Sequence, residues 1–148
     1  MAFPLPFHPL INEWFLETYK TPTPVQEEAW PLIVEVEHVL AIAPTGSGKT
    51  LTAFLAAISR FASGTYDACK LSVLYVSPLK ALNEDIRRNL TLPLEGIRAH
   101  FEKAGKAIPD IRVQTRSGDT PQEERRRFLS VPPSILALTP ESLAILLH

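Results

Sequence analysis

Short apolar runs alternate with longer amphipathic stretches along this chain. Residues 39–43 (VLAIA), 72–76 (SVLYV), 111–114 (IRVQ) and 134–138 (SILAL) are brief and rich in Val, Ile and Leu, the composition of strands buried on both faces. Residues 49–62 place Leu51, Phe54, Leu55 and Ile58 at i, i+3, i+4 and i+7, which predicts a helix with one apolar stripe. Stretches 79–91 and 121–129 carry a similar pattern with charged outer faces. Strand followed by helix, repeated, requires crossover connections, so the pattern predicts an α/β fold with a mostly parallel sheet flanked by helices. The first 40 residues differ: prolines at 4, 6, 9, 22, 24 and 31 punctuate two short helices, at 10–18 and 24–35.

Composition narrows the partners. The 148 residues suit one domain with a sizeable core, and no repeat, low-complexity tract or linker divides them. Fifteen basic and sixteen acidic residues nearly cancel, so a nucleic acid partner would have to be held locally, by loops and helix ends. Cys69 stands alone and His8, His38, His100 and His148 are scattered, which disfavours disulfides and a cysteine or histidine metal site. No apolar run approaches ~18 residues, so no membrane partner is expected.

The junction between the run at 39–43 and the helix at 49–62 carries the chemistry. Residues 43–50 read A-P-T-G-S-G-K-T, which fits the phosphate-loop (Walker A) pattern G-x-x-x-x-G-K-[ST] apart from Ala43 in place of the first glycine. Phosphate binding requires several backbone N–H groups turned toward one point, and Gly46 and Gly48 supply positions without a bulky Cβ. A helix starting near Lys49 adds unpaired N–H groups and a positive dipole end. Lys49 then reaches the β and γ phosphates and the Thr50 hydroxyl ligates Mg²⁺. Thr45, Gly46, Ser47, Gly48, Lys49 and Thr50 are therefore the candidate nucleotide site, with Lys49 and Thr50 its candidate catalytic residues. A plain surface turn is the alternative, and it leaves strand, spacing and G-K-T together unexplained.

A-P-T-G-S-G-K-T also resembles motif I of superfamily 2 helicases of the DEAD/DEAH type, and further stretches match in the order such proteins show. "YKTPTPVQ", 19–26, is similar to their Q motif, in which a glutamine amide pairs with adenine. The resemblance gives Gln26 that role, since an amide offers the donor and acceptor that N6 and N7 require; Tyr19, Thr21 and Phe15 are the candidates to pack on the base. "SPLKAL", 77–82, resembles motif Ia and "TPESL", 139–143, resembles motif Ib. Ser77, Pro78, Leu79, Lys80, Thr139, Pro140 and Glu141 would then meet the phosphates of a nucleic acid strand at helix starts. Ser77 and Thr139 are the expected N-caps, each followed by a first-turn proline. "SGDTP", 117–121, resembles the loop between these motifs, which places Gly118 and Asp119 on the strand backbone; a Gly-Asp turn with an N-cap at Thr120 is the alternative. With "EWFLETYKTPTPVQEEAWPLI" and "SPLKALNEDIRRNL", the chain resembles the large helicase-related (Lhr) group over nearly its whole length.

That resemblance implies a RecA-like P-loop NTPase fold, with a Q-motif helical region at 1–36 and an incomplete P-loop core at 37–148. It implies ATP and Mg²⁺ as cofactors, and ATP-driven translocation along single-stranded or duplex nucleic acid, DNA favoured over RNA. A part in nucleic acid repair and a cytoplasmic location go with it. Arg87-Arg88 and Arg125-Arg126-Arg127 read as solvated helix faces. No D-E-x-H or D-E-x-D follows Thr139, although hydrolysis in this class needs an acidic pair to hold Mg²⁺ and orient water. The expectation is thus a chain truncated before the Walker B strand, whose partner is the remainder of the helicase, including a second RecA-like domain. The phosphate-loop strand would then lack a neighbour and expose its edge. Two other readings stay open: a non-helicase P-loop ATPase, and a non-catalytic nucleotide or nucleic-acid binding module.

Overall fold

The computed structural model describes residues 5–44, 46–117, 122, 123, 126 and 130–148. Thr45, Gly118, Asp119, Thr120, most of the expected helix at 121–129, and the side chain of Leu79 lie outside the described residues. Three parallel strands form the sheet: β1 (Val73–Val76), β2 (Val113–Arg116) and β3 (Ile135–Leu138), in the order β1-β3-β2. β3 is central and buried at all four positions, because Ile-Leu-Ala-Leu offers an apolar side chain to both faces. Val76 and Arg116 both oppose Leu138. Ser77, Ser117 and Thr139 consequently leave the sheet in one row, with the Ser77 N–H donating to the Leu138 carbonyl (3.1 Å) and the Thr139 N–H to that of Arg116 (3.3 Å). In parallel α/β sheets this carboxyl edge is where ligands bind.

Two strand expectations change. The run at 39–43 is not a strand: among the described residues no segment pairs with it, and Leu40 and Ile42 are each 85% exposed. A strand's N–H and C=O groups need a neighbour's ladder, so apolar composition alone does not make one. The strand expected at 111–114 begins two residues later. The Arg112 carbonyl first accepts from the N–H groups of Ser134 and Ile135, and pairing starts at Val113.

The helices are α1 (Pro9–Tyr19), α2 (Pro24–Val34), α3 (Lys49–Ala62), α4 (Leu79–Ile86), α5 (Leu92–Lys103) and α6 (Pro140–Leu147). The apolar pattern predicts one helix from 79 to 91; instead α4 ends at Ile86 and a π-turn at Arg87–Thr91 joins it to α5. Pro93 supplies the reason. Its ring lacks an N–H and would crowd the carbonyl four residues back, and widening the turn, with the Leu92 N–H reaching the Arg87 carbonyl, lets the helix pass the proline. Leu90, Leu94, Ile97 and Phe101 then form one buried stripe.

One core joins these elements. Phe15, Trp30, Phe54, Leu55, Ile58, Ile97 and Ile135 all belong to it. α2 is pinned to α3 by the Trp30 indole N–H donating to the Thr52 carbonyl at 2.9 Å, and by the Arg60 guanidinium donating to the carbonyl of Ile33. α1 lies against α5, where Gly96 admits the Trp14 indole: a Cβ there would stand 2.6 Å from Nε1. The effect is to hold the helix pair α1–α2 beside the start of α3.

Candidate nucleotide site at the start of α3

α3 begins without a side-chain cap. Its N-cap is Gly48, at φ +82° and ψ +22°, and among the described residues no side chain accepts from the first-turn N–H groups. Side-chain oxygens or nitrogens do so at α1 (His8), α2 (Thr23) and α6 (Thr139). Uncapped N–H groups at a positive dipole end are what an anion requires. Lys49 extends from this turn and its Nζ donates to the Ala43 carbonyl at 2.6 Å, so the ammonium is folded back over the loop. The Ser47 hydroxyl donates to the Pro44 carbonyl at 2.6 Å, which closes the loop from within.

The Gly48 carbonyl receives two further donors besides the α3 backbone. The Thr52 hydroxyl lies 2.6 Å away and Gln26 Nε2 3.4 Å away. Gln26 is only 3% exposed, so it is not the solvated first-turn residue that a lone glutamine would suggest. It completes a capping box: its Oε1 accepts from the Thr23 N–H at 2.9 Å while the Thr23 hydroxyl accepts from the Gln26 N–H. Each end of the amide retains one unused valence, a proton on Nε2 and a lone pair on Oε1.

Gln26, Thr23, Tyr19, Gly46, Gly48, Lys49, Thr50 and Leu51 line one cleft of about 560 Å³. Its far wall is Asp85, Arg88 and Asn89, from the end of α4 and the π-turn. Of the three base-packing candidates, Tyr19 alone lines this space. Phe15 is fully buried behind it, ring centroids 5.1 Å apart, and Thr21 does not line the cleft. Ser47 is not part of the lining either. Burial raises the Tyr19 phenol above its ordinary pKa. Desolvation also raises the Tyr75 phenol, and the neighbouring Asp85 carboxylate, 3.3 Å from its oxygen, adds to the rise. Both phenols keep their proton throughout the physiological range.

The cleft suits a nucleoside triphosphate. The uncapped start of α3, Lys49, Gln26 and Tyr19 share this lining, and the missing Cβ of Gly48 leaves room for the Gln26 amide. Mg²⁺ also fits the donor set, because it retains waters and phosphate oxygens and asks the protein for few ligands; Thr50 lines the cleft together with the carboxylate of Asp85. Asp85, Arg88 and Asn89 carry no signal in the sequence that marks them for this site. The charge pattern puts Arg88 on a solvated face, and the π-turn that carries it forms part of the far wall of the cleft. Its ion pair with Glu84, 3.3 Å and exposed, is too weak to hold it elsewhere.

The residues expected at a nucleic acid strand lie along the carboxyl edge, with different exposures. Pro78, Lys80, Pro140 and Glu141 are exposed. Ser77 and Thr139 are buried, at 5% and 3% exposed. Thr139 is the expected N-cap, its hydroxyl accepting from the Ser142 N–H at 3.3 Å. Ser77 is not: Pro78 takes the N-cap position of α4 and no side chain caps that helix. Ser77 directly follows β1 and its N–H is still spent on the Leu138 carbonyl, so α4 starts one residue later. The start of α4, which opens at Leu79, thus keeps free N–H groups, while that of α6 satisfies one of its own.

Known proteins resemble this chain in sequence and in fold. The family model described as DEAD/DEAH box helicase matches residues 23–148. A protein named Lhr helicase/probable uracil glycosylase, from Mycolicibacterium smegmatis, is 50% identical over 142 residues, which are 95% of this chain and 9% of that protein. Lhr helicase/uracil glycosylase from Escherichia coli is 47% identical over 148 residues, covering 95% of this chain and 10% of its own length. This chain therefore spans about a tenth of the curated relatives that it matches. A solved structure of Mycobacterium smegmatis helicase Lhr bound to ssDNA and AMP-PNP superposes with a TM-score of 0.86 at 52% identity, covering 96% of this chain and 18% of that one. The likeness to RecA-like helicase domains and to the Lhr group holds at the level of fold and sequence alike, and the chain belongs to the DEAD/DEAH box helicase family.

Proposed function

We propose that this chain forms the ATP-binding and part of the strand-binding surface of an ATP-dependent helicase that moves along nucleic acid and separates its strands. The observation that carries the reading is the convergence of the uncapped α3 start, Lys49, Gln26 and Tyr19 on one cleft. Lys49 exchanges the Ala43 carbonyl for the β and γ phosphates, a charge-assisted contact in place of a neutral one. Gln26 uses its remaining donor and acceptor on adenine, and Tyr19 packs on the ring. The Thr50 hydroxyl would hold Mg²⁺, which when bound would supply positive charge to offset that of the phosphates.

In this reading the Q-motif region is 1–36 and the P-loop core 37–148. Pro78, Leu79, Lys80, Pro140 and Glu141, with Gly118 and Asp119 from the neighbouring loop, follow the phosphates of one strand. Ser77 and Thr139 shape those turns from below. The strand is DNA rather than RNA, which is supported by the ssDNA in the solved relative. Repair of nucleic acid and a cytoplasmic setting complete the proposal, together with a second RecA-like domain that closes the cleft. Among the described residues no helix is long and apolar enough to cross a membrane.

Lys49→Ala in the full-length protein tests the site. Nucleotide affinity and strand separation should fall together, while binding of a labelled single strand without nucleotide persists. Equal loss of strand binding would show that Lys49 supports the fold and not the phosphates.

A further inference from the structure

Two contacts fix the ends of the far wall of the cleft. At one end the Tyr75 hydroxyl donates to Asp85 Oδ2 at 3.3 Å, and the Tyr75 ring lies on Phe54, 4.9 Å between centroids. Phe54 is one turn along α3 from Thr50 and on the same face. At the other end Gly96 of α5 lies against the Trp14 indole, and Trp14 meets Tyr19 edge-on, ring centroids 5.9 Å apart. Arg88 and Asn89 stand between Asp85 and Gly96 on one continuous run of helix, so they line the cleft between its Thr50 end and its Tyr19 end. Tyr19 is packed by Phe15 and Trp14 and is still 43% exposed.

We infer that Arg88 is a further nucleotide-binding residue, whose guanidinium stacks on the face of the nucleobase while Gln26 reads its edge. This rests on the nucleotide-binding reading above and adds a residue to it. Arg88 is free to take the role. Its side chain is 72% exposed, and its ion pair with Glu84, 3.3 Å from Nη2 to Oε1, is of the exposed kind that contributes little. Glu84 also holds Arg87, at 3.6 Å, so it keeps a partner when Arg88 turns to the cleft. Charge along the wall selects which part of the nucleotide Arg88 meets. Asp85 precedes it by one helical turn, which makes the two side chains neighbours, and a phosphate brought to Arg88 would also meet that carboxylate. A neutral base meets no such repulsion. The planar guanidinium suits an aromatic face and is a surface on which bases stack. The base then lies between Tyr19 and Arg88.

Arg88→Ala and Arg88→Lys in the full-length protein test this, by calorimetric titration with AMP-PNP, GMP-PNP and inorganic tripolyphosphate, each with Mg²⁺. Stacking of a base on a side chain changes affinity by roughly fivefold to a hundredfold. Arg88→Ala should weaken AMP-PNP and GMP-PNP alike, by about tenfold, because every base has a π-face, and leave tripolyphosphate within about twofold of the unmodified protein. Arg88→Lys keeps the charge and loses the plane, so it should recover only a minor part of the loss. Arg88 lies outside the core, and both variants should unfold thermally as the unmodified protein does. Unchanged AMP-PNP affinity in Arg88→Ala overturns the inference, as does full recovery by Arg88→Lys. An equal loss for tripolyphosphate also overturns it, because Arg88 would then hold the phosphates. If the unmodified protein binds neither AMP-PNP nor tripolyphosphate, the nucleotide reading itself fails.

Discussion

The side-chain amide of Gln26 donates to the carbonyl of Gly48 across 3.4 Å, joining the first turn of α2 to the N-cap of α3. A buried glutamine at the third position of one helix therefore reports on the backbone that starts the next. Gly48 makes this approach possible, since a Cβ on it would stand 2.5 Å from Gln26 Nε2.

Substitutions at Gln26 separate its two duties. Adenine matches a donor and acceptor pair that guanine's O6 breaks, and a buried mismatch costs about 1 to 3 kcal/mol, or roughly ten- to hundredfold. Gln26→Ala and Gln26→Glu should both flatten a preference for ATP over GTP. Glu still accepts from the Thr23 N–H, as capping boxes allow, but has no proton for the Gly48 carbonyl; Ala loses both that contact and the capping bond, worth about 1 kcal/mol. Competition binding together with thermal unfolding decides this. An unchanged preference in both variants moves adenine recognition elsewhere.

Gly48→Ala meets two penalties at once. The left-handed backbone at φ +82° costs a side chain about 1 to 2 kcal/mol, and the new methyl displaces Gln26. Stability should drop by at least that much in a denaturant titration, with nucleotide affinity falling alongside. A variant with unaltered stability would contradict the geometry at this cap.

At Gly96 magnitudes decide the sign. Alanine in a helix interior is favoured over glycine by about 1 kcal/mol, but its Cβ would lie 2.6 Å from Trp14 Nε1 and 3.3 Å from Cε2. Trp14 is anchored in the core and overpacking there costs about 1 to 3 kcal/mol. Gly96→Ala should therefore lower the melting temperature and change indole fluorescence. Because Trp14 packs edge-on to Tyr19 at 5.9 Å, nucleotide affinity should weaken too. A raised melting temperature would mean that α1 moves aside freely.

Local patterning is enough for much of this protein. The apolar spacing of Leu51, Phe54, Leu55 and Ile58 delimits α3 as found, because a helix satisfies its hydrogen bonds within itself. G-S-G-K-T marks the start of α3 for the same reason: the signal is carried by backbone close in sequence. Thr139 caps α6 as expected because cap and recipient are three residues apart. Where partners lie far apart, the sequence is silent or misleading. Residues 39–43 have strand composition but no strand beside them among the described residues, since a ladder belongs to a pair of segments and not to one. Pro93 by itself would end a helix, yet Leu94, Ile97 and Phe101 bury enough surface to carry the helix on through a π-turn. That turn puts Arg88 and Asn89 on a cleft whose other wall is more than 35 residues away in sequence at Lys49 and Thr50. Tyr75 carries no signal for the hydrogen bond from its hydroxyl to Asp85, because only tertiary packing brings the end of β1 against the end of α4.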